Sequence, residues 1–230
     1  MPHSTRIPFA ERLKNVQDRI GAAAQKSGRA PSDIKLVAVT KSADAETVLR
    51  AYDAGLRVFG ENRIQETEPK ILNLNRPDVE WHMVGHLQSN KVKAAVSLFQ
   101  MIQSVDSVRL AEKINVESMA GPKPVLLEIN ISGEAQKYGF KPEEIYTAIE
   151  GVSAFPNIRV LGLMGMAPNG VPDEIKRAAF KKLRSIFSVC KTLKKDNIKM
   201  QTLSMRMSYD FEIAIEEGSN MVRLGRILFS

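Results

Sequence analysis

Eight short apolar or β-branched runs, each parted from the next by a stretch with helical spacing, leave very few folds open to this chain. The runs are Lys35 to Val39, Arg57 to Phe59, Glu80 to Val84, Met101 to Ser104, Val125 to Ile129, Val160 to Met164, Thr202 to Met205 and Met221 to Leu224. Helical patterns lie between them, near Ala45 to Ala54, Arg63 to Asn73, Ser89 to Leu98, Val108 to Met119, Pro142 to Gly151, Pro172 to Leu193 and Asp210 to Glu217. Strands buried on both faces read as continuous apolar runs, and parallel strands need a crossover long enough to hold a helix. The alternation therefore predicts an α/β fold with a parallel sheet, closed as a single (β/α)8 barrel. One barrel uses all 230 residues, so one domain is expected over 1–230. An extra helix precedes the first strand, with Phe9, Leu13, Val16 and Ile20 on one stripe and Gly28 just past its end.

Composition closes other routes. The chain is 43% hydrophobic and 26% charged, as in globular proteins, and no run approaches the roughly 18 apolar residues of a membrane-crossing helix. Met1 to Arg12 lacks the unbroken apolar stretch of a secretion signal, and a single cysteine, Cys190, excludes an intrachain disulfide. The cytoplasm is the expected compartment. A net charge of +7 raises nucleic-acid binding, but the excess is concentrated between Lys176 and Lys199. There Ile175, Ala179, Leu183, Ile186, Phe187, Cys190 and Leu193 recur at helical spacing, opposite Lys176, Arg177, Lys181, Lys182, Arg184, Lys191 and Lys194. That is the pattern of a solvated outer helix face, without the interleaved aromatic residues of single-strand binders. Neither nucleic acid nor membrane is expected as a partner. No exposed apolar patch stands out in the helices, so a monomer is expected.

In barrels of this kind the active groups stand at the C-terminal ends of the strands. Those positions hold Lys41, Glu61 with Asn62, His86, Asp106, Asn130, the Met164 to Met166 turn, Ser208, and Gly225 with Arg226. Lys41 ends the run KLVAVTK at the mouth of an apolar core, from which a neutral amine can attack an aldehyde. The alternative is a rim lysine paired with a carboxylate such as Glu61. The loops after the last two strands are the usual phosphate site. Ser208 precedes a helical stretch, so its hydroxyl and the first amides can face an anion, although it reads equally as a plain N-cap. Gly225 permits close backbone approach and Arg226 adds a fork of donors. His82 and His86 lack the helical spacing, the acid and the third ligand of a zinc site, so no metal is expected. Walker and dinucleotide fingerprints are missing from the sequence. Met164, Met166, Met200, Met205 and Met207 read as adaptable core and pocket lining.

The motifs VAVTK, FGENRIQE, WHMVGHLQSNK, SVDS, EINISGEAQKYGF, GLMGM, LSMRMSYD and VRLG resemble those of the YggS/PROSC family of pyridoxal phosphate homeostasis proteins, over nearly the whole chain. That family is similar in fold to the barrel domain of alanine racemase. The resemblance implies pyridoxal 5'-phosphate as cofactor, with Lys41 forming the Schiff base and Asn62 in the pocket wall. It implies further that Arg223 faces the pyridine nitrogen, that Ser208 with the backbone at Gly225 and Arg226 holds the phosphate, and that Met205 lies against the ring. A guanidinium can only donate, so Arg223 would keep the ring nitrogen unprotonated and the ring a poorer electron sink. The sequence departs from the family where LSMRMS replaces LSMGMS, placing Arg206 at a glycine position, and where Arg226 follows Gly225 in place of threonine.

The family implies a carrier that buffers pyridoxal 5'-phosphate in vitamin B6 and amino-acid homeostasis without robust catalysis, with apoenzymes that use the cofactor as recipients. One residue-level argument agrees. Racemases and decarboxylases of this fold complete their sites with a second domain, and here the barrel consumes the chain, leaving no well-placed second base. The alternatives are a racemase or lyase using Tyr138 as the extra acid or base, and a barrel for another phosphorylated metabolite in which Lys41 makes only an ion pair.

Overall fold

The apolar runs form strands because β-branched and apolar side chains fill both faces of a pleated sheet, and the amphipathic stretches between them cover its outside. The computed structural model describes residues 7–134, 136–206 and 211–230. In chain order these form α1 (Phe9–Lys26), β1 (Lys35–Val39), α2 (Ala45–Asp53), β2 (Val58–Glu61), α3 (Ile64–Leu74), β3 (Glu80–Met83), α4 (Val92–Leu98), β4 (Met101–Val105) and α5 (Val108–Glu117). There follow β5 (Lys123–Ile129), α6 (Ile145–Ser153), β6 (Ile158–Met166), α7 (Asp173–Cys190), β7 (Ile198–Arg206), α8 (Phe211–Glu216), β8 (Met221–Leu224) and α9 (Arg226–Phe229). Among the described residues, eight parallel strands pair in sequence order, and β8 closes on β1 with Lys35 opposite Met221 and Ala38 opposite Leu224. The expected (β/α)8 barrel is present.

Boundaries differ from the sequence reading in ways that bear on the rim. The second strand is Val58–Glu61 and not Arg57 to Phe59, so Glu61 closes a strand instead of following one. Met164 to Met166, read as a turn, is the end of the longer strand β6. Apolar runs mark where a strand is buried, but pairing with a neighbour carries a strand beyond its apolar part. A register shift lies between Val160 and Gly162, where β6 meets β7. Only glycine fits there: φ is 154°, and a Cβ would fall 1.8 Å from the Thr202 carbonyl oxygen.

Side chains alternate between the barrel interior and the helical shell, as strand geometry requires. Phe59, Trp81, Ile102, Leu127, Leu163 and Leu203 pack outward with Val48, Ala95, Leu110, Ile149 and Leu183 of the helices. Val37, Met101, Leu126, Met164 and Met221 form a separate apolar cluster inside the barrel. Each fully buried side chain of this size contributes about 1.5–3 kcal/mol relative to exposure. The extra helix α1 buries Leu13, Val16, Ile20, Ala23 and Ala24 and packs on α8 and α9. The basic helix α7 buries Phe180, Leu183 and Cys190, whereas Ile175, expected on that stripe, is exposed in its first turn. Among the described residues no helix is long and apolar enough to cross a membrane.

Candidate functional site

At the C-terminal end of β1, Thr40 is buried and held from three sides. Its amide donates to Gly60 O at 2.9 Å, its hydroxyl to Glu61 Oε1 at 2.6 Å, and its carbonyl accepts from Lys70 Nζ at 2.7 Å. Lys70 also donates to Glu61 Oε1 at 2.6 Å, and neither side chain is more than 10% exposed. The next residue, Lys41, lies exposed on the turn that leaves the strand. It does not pair with Glu61, whose Oε1 serves Lys70 and Thr40 and whose Oε2 is buried without a partner. Thr40 takes the last buried position of the run, and Lys41 follows it, exposed, at the strand end.

Across the β1–β8 seam the backbones close up. A Cβ at Gly225 would stand 3.1 Å from Val39 O, so the residue after β8 lies against the end of β1, two residues before Lys41. Arg226 is exposed at the start of α9. Ser208, the other expected phosphate ligand, lies outside the described residues. Asn62 follows β2 with its Oδ1 buried and unpartnered, wedged so closely on Gly85 that a Cβ there would be 2.7 Å from Asn62 O.

Inside the barrel an arginine interrupts the apolar lining. Arg223 is 1% exposed and donates through Nη1 to Ser204 Oγ; Nη1 also lies 3.5 Å from Gln103 Oε1, and Nη2 3.5 Å from Gly165 O. Ser204 Oγ donates to Gln103 Oε1 at 2.8 Å, and Gln103 Nε2 lies 2.8 Å from His82 Nδ1. Burial holds the His82 imidazole below its ordinary pKa, against the opposing pull of Glu80. Met205 is a correction. Its neighbour Ser204 points inward, so by alternation Met205 points outward, where it packs in the shell cluster, fully buried and away from the barrel mouth.

On the rim, His86 Nδ1 lies 3.0 Å from Asp106 Oδ2, and Tyr138 stacks on the imidazole with centroids 3.6 Å apart and planes 9° apart. A cavity of about 400 Å³ opens beside them, lined by Asn62, Arg63, Gln65, His86, Gln88 and Lys91 among others; Lys41 is not on its wall. The two histidines thus serve separate hydrogen-bonded sets, His82 inside the barrel and His86 on the rim.

Sequence reasoning missed Lys70, Gln103 and Ser204. Lys70 did carry a signal, for it shares the buried stripe of α3 with Ile64, Thr67 and Leu74, a position where a solvated lysine does not belong. Gln103 and Ser204 carried none, since a polar residue inside a strand run does not reveal which partner it meets across a barrel.

Comparison with known proteins gives three findings. The family model described as alanine racemase, N-terminal domain, matches residues 12–230. A pyridoxal phosphate homeostasis protein of Pseudomonas aeruginosa is 40% identical over 96% of this chain and 94% of its own length. PipY of Synechococcus elongatus, a COG0325 family member solved with PLP bound, is 31% identical, with a TM-score of 0.84 over 97% of this chain and 100% of that one. The Clostridium difficile alanine racemase, at 17% identity and a TM-score of 0.71 over 96% of this chain and 55% of its own, shares the fold alone.

Proposed function

This chain belongs to the pyridoxal phosphate homeostasis protein family, and from that membership we propose that it binds pyridoxal 5'-phosphate on Lys41 and holds it for delivery instead of catalysis. What supports the reading is that three groups stand on or just after the paired strands β1 and β8. An amine on the turn after β1, close backbone at Gly225 with Arg226 beside it, and a buried guanidinium at Arg223 together suit an aldehyde that bears an anion and a basic ring nitrogen.

When bound, the cofactor supplies an aldehyde that condenses with amines and a ring that can accept electrons. The protein's residues fix how much of that chemistry is used. Lys41 supplies the amine, and the Thr40, Glu61 and Lys70 cluster anchors the turn that carries it. Ser208, the backbone at Gly225, and Arg226 hold the phosphate, and Asn62 stands in the wall. Arg223 keeps its proton at any physiological pH and so offers the ring nitrogen a donor, leaving that nitrogen unprotonated. Met205 faces the shell and takes no part. Two-base proton transfer at a substrate Cα needs a second group besides Lys41, and the candidate, Tyr138, is 57% exposed and stacked on His86. We assign the protein to the cytoplasm as a monomeric single domain over 1–230, with apoenzymes that use the cofactor as its recipients.

Purified protein should absorb as a lysine-bound pyridoxal derivative, and borohydride should fix the phosphopyridoxyl group on the peptide holding Val39, Thr40 and Lys41. Labelling that persists in Lys41→Ala would refute the assignment. With amino acids in deuterated water, Cα exchange should be no faster than with free cofactor. Turnover near 1 per second, the low end of ordinary enzymes, would establish the racemase or lyase alternative, and Tyr138→Phe would then be the first variant to assay.

A further inference from the structure

We infer that Ser204, Gln103 and His82 form a hydrogen-bonded strut across the barrel interior that orients the Arg223 guanidinium, making all three positioning residues for the cofactor ring. The inference rests on the cofactor reading above and names residues of the same site. The strut crosses from β8 through β7 to β4 and β3, and its four side chains are each 1% exposed or less.

The donors and acceptors fit in one direction only. A guanidinium cannot accept, so Ser204 Oγ accepts from Arg223 and passes its own hydrogen to Gln103 Oε1 at 2.8 Å. With its carbonyl so engaged, Gln103 presents its amide Nε2 to His82 Nδ1 at 2.8 Å. Nδ1 must then be the unprotonated nitrogen, which places the imidazole hydrogen on Nε2. That nitrogen stands 3.4 Å from Glu80 Oε2, off the line of a hydrogen bond. Reversing the Gln103 amide would turn its NH2 towards the Ser204 hydroxyl and the Arg223 Nη1 donor, 3.5 Å from the present oxygen.

The strut thus has a cation, Arg223, at one end and a carboxylate, Glu80, near the other. Glu80 is paired with Lys35, whose Nζ is 2.7 Å away. His82 meets Glu80 on its own strand, Gln103 on β4 and the charge of Lys35 on β1, and burial keeps it neutral. A neutral imidazole remains an acceptor at Nδ1, so the direction of the strut is stable. Packing alone would be served as well by leucine at 103, as at Leu126 of the neighbouring strand. A polar chain that ends on the arginine facing the ring has a use that packing does not supply.

The first arm of the test needs no cofactor. In cofactor-free protein at neutral pH, the ¹⁵N imidazole shifts of His82 should report Nε2 protonated and Nδ1 bare, and Gln103→Glu should move a proton onto Nδ1. Wild-type protein with the proton on Nδ1 would overturn the strut. In the second arm, ring-¹⁵N pyridoxal 5'-phosphate is added to wild type, Gln103→Leu and Ser204→Ala, the last as the milder change should the first fail to fold. The ring nitrogen should report an unprotonated state in wild type and move towards its solution value in both variants, with Kd raised about tenfold, the scale of one orienting hydrogen bond. Unchanged ring shifts in folded variants would overturn the positioning role. Wild type that bound no cofactor would defeat the cofactor reading instead, with the His82 arm still standing.

Discussion

Lys70 reaches in from α3 to place its ammonium 2.6 Å from Glu61 Oε1, with the lysine side chain 10% exposed and the carboxylate fully buried. A pair so enclosed contributes little over an apolar equivalent, yet breaking it leaves an uncompensated charge. Lys70→Met should therefore lower the free energy of urea unfolding by about 3–5 kcal/mol, and Lys70→Met with Glu61→Leu should recover much of that loss. A single-variant loss below about 1 kcal/mol would mean that water reaches Glu61 and that the turn before Lys41 is not anchored as described.

Binding of the phosphate can be separated from binding of the ring. Ser208→Ala and Arg226→Ala should each weaken pyridoxal 5'-phosphate by about 1.5–3 kcal/mol, the scale of a hydrogen bond to a charged group, and leave unphosphorylated pyridoxal nearly unchanged. Titration of each protein with both ligands makes the comparison. Equal losses for the two would move these residues away from the phosphate.

Cys190 ends α7 against the shell, where burial pushes its thiol up to about 11. Thiolate is the reactive form, so the native protein at pH 8 should resist an alkylating or disulfide reagent, and labelling should track unfolding as urea is added. Rapid labelling without denaturant would show that the C-terminal end of α7 opens locally.

Glu216 links three helices, accepting from Lys26 of α1 at 2.6 Å and from Arg177 of α7 at 2.7 Å. Those two partners, Lys26 first, hold its carboxyl below the usual 4.5. A depressed carboxylate stabilises the fold above its unfolded pKa and loses that contribution as pH falls through the folded one. Glu216→Gln should thus cost about 1 kcal/mol at pH 7, and the difference from wild type should shrink below pH 4.5. A gap of constant size from pH 7 to pH 3 would show that the pairs contribute through geometry alone.

The barrel was legible because its information is local. Eight apolar runs and the spacing of the helices between them are properties of neighbouring residues, and they led to the right element order and closure. Lys41, Asn62, Gly225 and Arg226 were reached through the rule that strand ends form the rim. Arg223, and the place of Met205 against the ring, came only through family resemblance; alternation along β7 turns Met205 outward, whereas Arg223 on β8 meets Ser204 inside the barrel. What stayed hidden depends on partners distant along the chain. Glu61 was offered only as an alternative partner for Lys41, while its actual partner comes nine residues later from a helix face. Gln103 and Ser204 are 101 residues apart and become neighbours only when the sheet closes.

The methionine-rich cluster of Val37, Met101, Leu126, Met164 and Met221 makes the barrel a cup and not a tube. Among the described residues this cluster fills the interior of the barrel, so whatever enters at the C-terminal rim would leave by the same opening. A competitor cannot push cargo out from behind. If Lys41 carries the cofactor as proposed, loading and release would share one doorway, and a recipient would have to approach from the side on which Lys41 stands.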